Sequence, residues 1–420
     1  MTDPVRDTLE RLLARINAIS APGPGFTRPS YSPLESAAHG VVAEAAGRLG
    51  LDVGRDAALN LFARLKGRDR DAPALHVGSH LDTVPAGGAF DGAAGVAAAM
   101  ALAALFVESG EPPPVDLVVT ATRAEESVWF PVSYAGARAG LGRLRPDELA
   151  APRADSGRSL ADHLREEGGD PEAVLAGSGL PPATFLEFHI EQGPVLAAAG
   201  EAFALVTGVR GGLRYRAARI DGVWAHSGGA PRHLRADAVF ALADLVTALD
   251  RHWGRVLDEG GDLAVTVGRV DAASPDHAFA KVPGRLDFCL DLRSDDAALL
   301  DAFDGVLRRE IGAIEAARGV RVILGPASRS EPAPLSPALI DGLIRAAGGM
   351  PPRRMLSGGG HDAAAFAAAG WQAGMVFLRN WNGSHTPDEA MDLDDLAEAV
   401  RLVHAAFRDG QIAAPRARPI

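Results

Sequence analysis

The strongest constraint on this chain is a set of short strands with no exposed face. Residues 115–121, 184–190 and 375–378 are near-continuous apolar runs, the pattern of strands covered on both sides. Residues 74–79 add a shorter run that leads into His80. Helical spacing marks 9–19 and 33–49, and an Ala-rich helix spans 91–109, with Asp91 where an N-cap belongs, after the Gly87-Gly88 turn. Strands alternating with helices predict an α/β fold: a mostly parallel mixed sheet flanked by helices.

The middle of the chain breaks that alternation. Strands at 213–220, 263–270, 285–292 and 320–324 enclose helices at 232–250 and 296–317. The order strand-helix-strand-strand-helix-strand is ferredoxin-like. An α+β domain over 209–325 is therefore inserted between 1–208 and 326–420, and Pro326, Pro332, Pro334 and Pro337 punctuate the return. The length of 420 residues agrees with two cores rather than one. Residues 155–181 are polar and Gly-rich, a surface loop with helix.

Charge and cysteine content narrow the chemistry. With 42 basic and 54 acidic residues the net charge is −12, so there is no basic stripe for nucleic acid. A single cysteine, Cys289, excludes a disulfide framework and a thiolate-rich zinc site. No apolar run is long enough for a membrane helix, and the first residues carry no apolar signal core. The expected setting is cytoplasmic, with a small-molecule substrate and neither nucleic acid nor membrane as partner.

Five segments carry hard or borderline metal donors beside predicted strand ends. They are Gly78–Thr83 with His80 and Asp82, Phe90-Asp91-Gly92, Ala124–Ser127 with Glu125 and Glu126, Glu187–Gly193 with His189, and Gly383–Pro387 with His385. Open α/β sheets gather ligands at the carboxyl ends of their strands. Imidazole with carboxylate and no thiolate suits zinc, manganese, cobalt or nickel. Two divalent ions repel, so a carboxylate belongs between them. Asp91 is the candidate bridge, with His80 and His189 on one ion and Glu126 and His385 on the other. Asp82, two residues after His80, is placed to accept its ring N–H. Glu125 remains as a proton carrier beside the centre. Singly, each residue has an ordinary reading: a solvated histidine, a helix-face glutamate pair, a helix cap. Their combination at strand edges points to the metal centre.

These motifs, in order from about Leu75 to Leu402, resemble the hydantoinase/carbamoylase branch of the M20 metallohydrolases. The resemblance rests on Gly78–Pro85, Phe90-Asp91-Gly92, Glu125-Glu126, His189–Pro194 and Ser384-His385-x-Pro387. It is specific in the histidine at 189, where the peptidase and deacylase branch resembles a carboxylate user. It implies a catalytic domain, a lid/dimerisation domain, a homodimer, two divalent ions and hydrolysis of linear amide or ureido C–N bonds, as in N-carbamoyl amino acids. Ala225–Pro231 resembles the lid stretch whose histidine, here His226, reaches the partner subunit's site and stabilises the oxyanion. Asp291-Leu292-Arg293 resembles the motif whose arginine clasps a substrate carboxylate. In Ser357–Ala363, Gly359 implies a backbone contact to substrate, and His361 a supporting place. Gln192 implies a contact to the ureido group, with a structural amide as the alternative, and Arg235 and Asp237 brace the His226 loop.

Two positions depart from the family pattern. Ala280 stands where an asparagine is usual, and Trp129 where an arginine is common. Both imply retained amide chemistry on a shifted, more apolar substrate. An acyl-amino-acid deacylase or dipeptidase of the same superfamily, and an inactive dimeric binding protein, are the competing readings. Glu125 and all the candidate ligands are present, which argues against the last.

Overall fold

The computed structural model describes residues 3–177, 179–273 and 276–412. Met1 and Thr2 of the N-terminal reading, and Ser178 of the 155–181 segment, lie outside them. The chain divides into two compact units, Met1–Gly208 with Pro334–Ile420, and Val209–Ala333. No helix among the described residues is long and apolar enough to cross a membrane.

In chain order the first unit opens with strands β1 (Asp52–Arg55), β2 (Leu61–Leu65), β3 (Leu75–His80), β4 (Leu117–Thr122), β5 (Thr184–Ile190) and β6 (Phe203–Val209). The second unit follows with β7 (Gly211–Asp221), β8 (Ala225–His226), β9 (Ala264–Asp271), β10 (Lys281–Val282), β11 (Arg285–Ser294), β12 (Arg321–Ile323) and β13 (Ala327–Ser330). After them come β14 (Ala333–Pro334), β15 (Arg353–Ser357) and β16 (Gln372–Leu378).

Among the described residues a nine-stranded sheet runs β1-β2-β4-β3-β5-β16-β6-β14, with β15 beside β6. Its centre is parallel: β4 with β3, β3 with β5, and β5 with β16. Antiparallel β2 and β6 flank it. Every residue of β3, β4 and β5 is buried, the polar His76, Ser79, His80, Thr120, Glu187 and His189 among them. The helix Ala93–Ser109 is apolar on all sides and buried nearly throughout. Its small residues let it lie against the sheet: a Cβ on Gly95 would sit 2.2 Å from the Phe188 carbonyl oxygen.

The expected cap at Asp91 is corrected. The helix begins at Ala93 and its cap position is Gly92, at φ 65°. A Cβ there would lie 2.5 Å from the His80 ring, so only glycine lets the backbone pass so close. Asp91 is thereby freed from capping.

Among its described residues the second unit carries a five-stranded antiparallel sheet, β12-β7-β11-β9, with β13 also paired to β7. The helices Ala238–Asp258 and Ala297–Arg318 pack on it around Leu245, Phe288, Leu292, Phe303 and Leu307. The helix expected over 232–250 starts later, because Asp237 caps it by accepting from the Val239 and Phe240 amides. It also runs on to Asp258, and residues Arg232–Leu234 form only a short 3-10 turn. The expected boundary at 325 moves to Ala333, since β13 is bound to β7. The 155–181 segment contains two short helices, Leu160–Glu166 and Pro171–Ala176.

Candidate metal centre

Parallel pairing brings the carboxyl ends of β3, β4, β5 and β16 to one edge of the sheet. His80 ends β3, opposite Thr122 on β4. His189 lies near the end of β5, opposite Phe377 on β16. Glu125 and Glu126 follow β4, Asp91 precedes the Ala93–Ser109 helix, and His385 lies in the loop after β16.

The carboxylate of Asp91 is the hub. Its Oδ1 lies 3.1 Å from Nε2 of His189 and 3.5 Å from Nε2 of His80. Its Oδ2 lies 3.2 Å from Nε2 of His385, which is 3.4 Å from Oε1 of Glu126. The donor atoms of His80, Asp91 and His189, and those of Asp91, Glu126 and His385, thus form two groups compact enough to hold an ion, sharing Asp91.

The histidine tautomers test whether a cation fits. Nδ1 of His80 lies 3.0 Å from the main-chain carbonyl of Asp82, and Nδ1 of His189 lies 3.0 Å from that of Ile190. A carbonyl only accepts, so both Nδ1 atoms carry hydrogen. In the neutral rings both Nε2 lone pairs then face Asp91 Oδ1, a buried oxygen with no hydrogen bond among the described residues. Lone pairs converging on an anionic oxygen repel unless positive charge lies among them. The residues therefore fit a divalent cation.

The electrostatics agree. Burial opposes the charge on Asp91, yet the surrounding histidines outweigh it and hold its carboxyl well below the usual range. Burial also opposes charge on His80, but Asp82 and Asp91 hold that ring well above the histidine range. His385 is pushed up to about 10 by Asp91 and then Glu126. The field that favours protons on these rings equally favours a dication. Burial raises the Glu125 carboxyl well above the usual range; His80 opposes this and the Glu126 charge adds to it.

Asp82 faces the His80 ring through two oxygens. The Asp82 main-chain carbonyl takes that N–H, and Oδ1 of its carboxylate stands 3.4 Å off. The carboxylate also accepts from the amides of Glu125 (3.1 Å) and Glu126 (3.2 Å) and from the Ser30 hydroxyl (2.6 Å). Asp82 therefore fixes the loop that carries the glutamates, a duty invisible in the sequence.

Gln192 donates through Nε2 to Asp91 Oδ2 at 2.9 Å, and Ser384 Oγ donates to the same oxygen at 3.1 Å. Gly359 lies beside the Gln192 amide: a Cβ there would come within 2.7 Å of Oε1. The His361 ring lies tilted against His189, with ring centroids 4.3 Å apart and planes at 59°, and its Nε2 pairs with Ser357 Oγ at 2.8 Å. Burial keeps that ring well below the usual range, hence neutral. Glu187, near both, accepts from Ser79 Oγ and the Ala363 amide, each at 2.8 Å. Glu389 accepts from the amides of Phe90 (2.9 Å) and Asp91 (3.1 Å) and so holds the bridging residue's backbone. Sequence reading missed Glu389, Ser30 and Glu35. Only Glu35 left a trace, in the Ser32-x-x-Glu35 spacing of a capping box.

His226 and Arg293 lie in the second unit. His226 is exposed on β8, opposite Lys281. Its Nδ1 accepts the Gly229 amide at 3.1 Å, so the neutral ring carries its hydrogen on Nε2. Arg235 donates to the carbonyls of Ala230 and Ser227, bracing that loop, and the Ala280 carbonyl accepts the Ser227 amide. Arg293 on β11 donates through Nε and Nη2 to Asp291 at 3.0 and 2.7 Å. Trp129, in the first unit, is buried and its indole donates to the Thr83 carbonyl at 2.7 Å.

An α/β sheet that gathers imidazole and carboxylate donors at its carboxyl edge defines the class of metal-dependent hydrolases. The chain belongs to the peptidase family M20/M25/M40, whose profile matches residues 76–409. Enzymes of that family use divalent metal ions. Over 402 residues the chain is 33% identical to an N-carbamoyl-L-amino-acid amidohydrolase of Paenarthrobacter aurescens, covering 94% of this chain and 96% of that protein. It is 30% identical over 407 residues to the allantoate amidohydrolase of Escherichia coli, covering 95% and 96%. The crystal structure of a hydantoinase/carbamoylase family amidase from Burkholderia ambifaria superposes with a TM-score of 0.84, at 30% identity and 99% coverage of each chain.

Proposed function

We propose that this protein hydrolyses the linear C–N bond of an N-carbamoyl amino acid or a related ureido acid. The observation that carries the reading is the Asp91 carboxylate, each oxygen facing imidazole nitrogen, with Glu125 beside it on the same sheet edge. In this reading His80 and His189 hold one divalent ion, Glu126 and His385 the other, and Asp91 both. Zinc, manganese, cobalt and nickel all suit that donor set. When bound, the ions lower the pKa of water and polarise the scissile carbonyl.

The chain's own groups complete the reaction. Glu125 takes a proton from the attacking water and hands it to the leaving nitrogen. Asp82 holds the Glu125 and Glu126 amides in place. His226, contributed by the partner subunit of a homodimer, donates from Nε2 to the oxyanion. Arg293 binds the substrate carboxylate through its planar fork. Gln192 and the backbone at Gly359 contact the ureido group. One water and one carbamoyl amino acid give the amino acid and carbamic acid, which breaks down to carbon dioxide and ammonia. The 1–208 and 334–420 segments form the catalytic domain, and the inserted unit is its lid and dimerisation domain. The single cysteine agrees with a cytoplasmic location.

The test is a screen of carbamoyl, formyl and acyl derivatives of one amino acid with metal-reconstituted protein, following ammonia and amine together. The reading expects both products from the carbamoyl derivative. Amine from the acyl derivative alone would replace it with a deacylase.

A further inference from the structure

Among the non-glycine residues with left-handed backbone near the centre, which include Gln192 and His385, Tyr31 and Ala124 both lie at φ 50°. Residues with a Cβ seldom adopt that conformation. One carboxylate tethers both. Glu35, fully buried in the first turn of the Pro33–Arg48 helix, accepts the Ala124 amide on Oε1 at 3.0 Å and the Tyr31 amide on Oε2 at 2.6 Å. Arg123 Nη1 donates to Oε2 at 3.0 Å, and its Nη2 donates to Ser36 Oγ at 2.8 Å, locking the carboxylate from the other side.

The two tethered residues stand next to the groups that converge on Asp82. Ser30 precedes Tyr31, and Glu125 follows Ala124; both donate to the Asp82 carboxylate. Glu35 thus holds one end of two loops whose other ends meet at Asp82. All its partners donate, so an acceptor-only carboxylate is required. Glutamine would turn an N–H group toward one of them.

We infer that Glu35 is a positioning residue for the reaction: paired with Arg123, it holds Ala124 in its left-handed turn and so sets where the Glu125 carboxyl points. The inference rests on the proposed role of Glu125 as proton carrier.

The test compares metal-loaded Glu35→Gln, Glu35→Gln with Ala124→Gly, and Glu125→Gln. For Glu35→Gln we expect unchanged metal content, little change in KM and a fall in kcat of roughly 100-fold, the scale of a small misplacement of a reacting group. Adding Ala124→Gly should restore part of that loss, because glycine takes the left-handed turn unaided. Glycine at a left-handed position also adds stability, so melting temperatures are followed beside kcat: a fall and recovery of kcat at saturating substrate in fully folded protein marks positioning, and a kcat that only tracks the folded fraction overturns the inference. Parent kcat in Glu35→Gln, or no recovery in the double variant, overturns the inference. If Glu35→Gln does not fold, Ala124→Val in the otherwise natural chain should lose kcat with metal content intact, and an unchanged kcat overturns the inference. Glu125→Gln separates the two levels. Near-parent turnover there removes the reading of Glu125 itself, whereas its loss beside a parent-like Glu35→Gln removes only the role of Glu35.

Discussion

Asp91 shows how one side chain carries a site. Buried, it faces three imidazoles, and two of those rings are locked by carbonyls into tautomers that aim lone pairs at it. Replacing it with asparagine swaps one anionic oxygen for an amide N–H₂ and removes the charge between the two donor groups. We expect Asp91→Asn to lose bound metal and turnover together. Glu125→Gln should do the opposite: keep its metal while turnover falls by about 10²–10⁴-fold, the usual range for general acid–base groups. Metal content by mass spectrometry, measured beside ammonia release, separates the two. Metal loss in Glu125→Gln would make Glu125 a ligand rather than a proton carrier.

At the level of elements, the parallel strands tolerate no change where they touch. A Cβ on Gly78 would lie 1.7 Å from the Thr120 carbonyl oxygen of the paired strand. Gly78→Ala should therefore cost about 3 kcal/mol or more, and an unchanged melting temperature would contradict this packing. On the same strand His76 is buried edge-on to Trp371, at 5.0 Å between ring centroids, and burial lowers its pKa to about 3. An unfolded histidine takes up its proton near pH 6.5, and the folded one only near pH 3. The unfolded state binds more protons between these values, so stability falls as pH drops below 6.5, by about 1.4 kcal/mol per pH unit. His76→Phe should flatten that limb in urea titrations between pH 6.5 and 5; an equal slope would remove the cause. What was legible in the sequence follows the same physics. Buried strands and the donors at their ends are local patterns, so His80, Asp91, Glu126, His189 and His385 stood out. Strand β1 did not, since all four of its residues are exposed and it reads as loop. Glu35 and Glu389 act on amides 89 and 299 residues away, and no spacing rule reaches that far.

At the scale of the whole molecule, the proposed function has one unit hold the metal centre and the inserted unit of a partner supply the oxyanion and carboxylate contacts. If His226 serves the partner's site, mixing inactive Glu125→Gln with inactive His226→Ala should restore activity, since a mixed dimer holds one intact site. Absence of recovery, with subunit exchange verified, would place His226 outside the reaction or within its own subunit's site. The paired metal centre is tested by an anomalous difference map from crystals of catalytically active protein. Two peaks are expected, one between His80 and His189 and the other between Glu126 and His385, with the Asp91 carboxylate joining them. Fully active crystals without density at either position would contradict the paired centre.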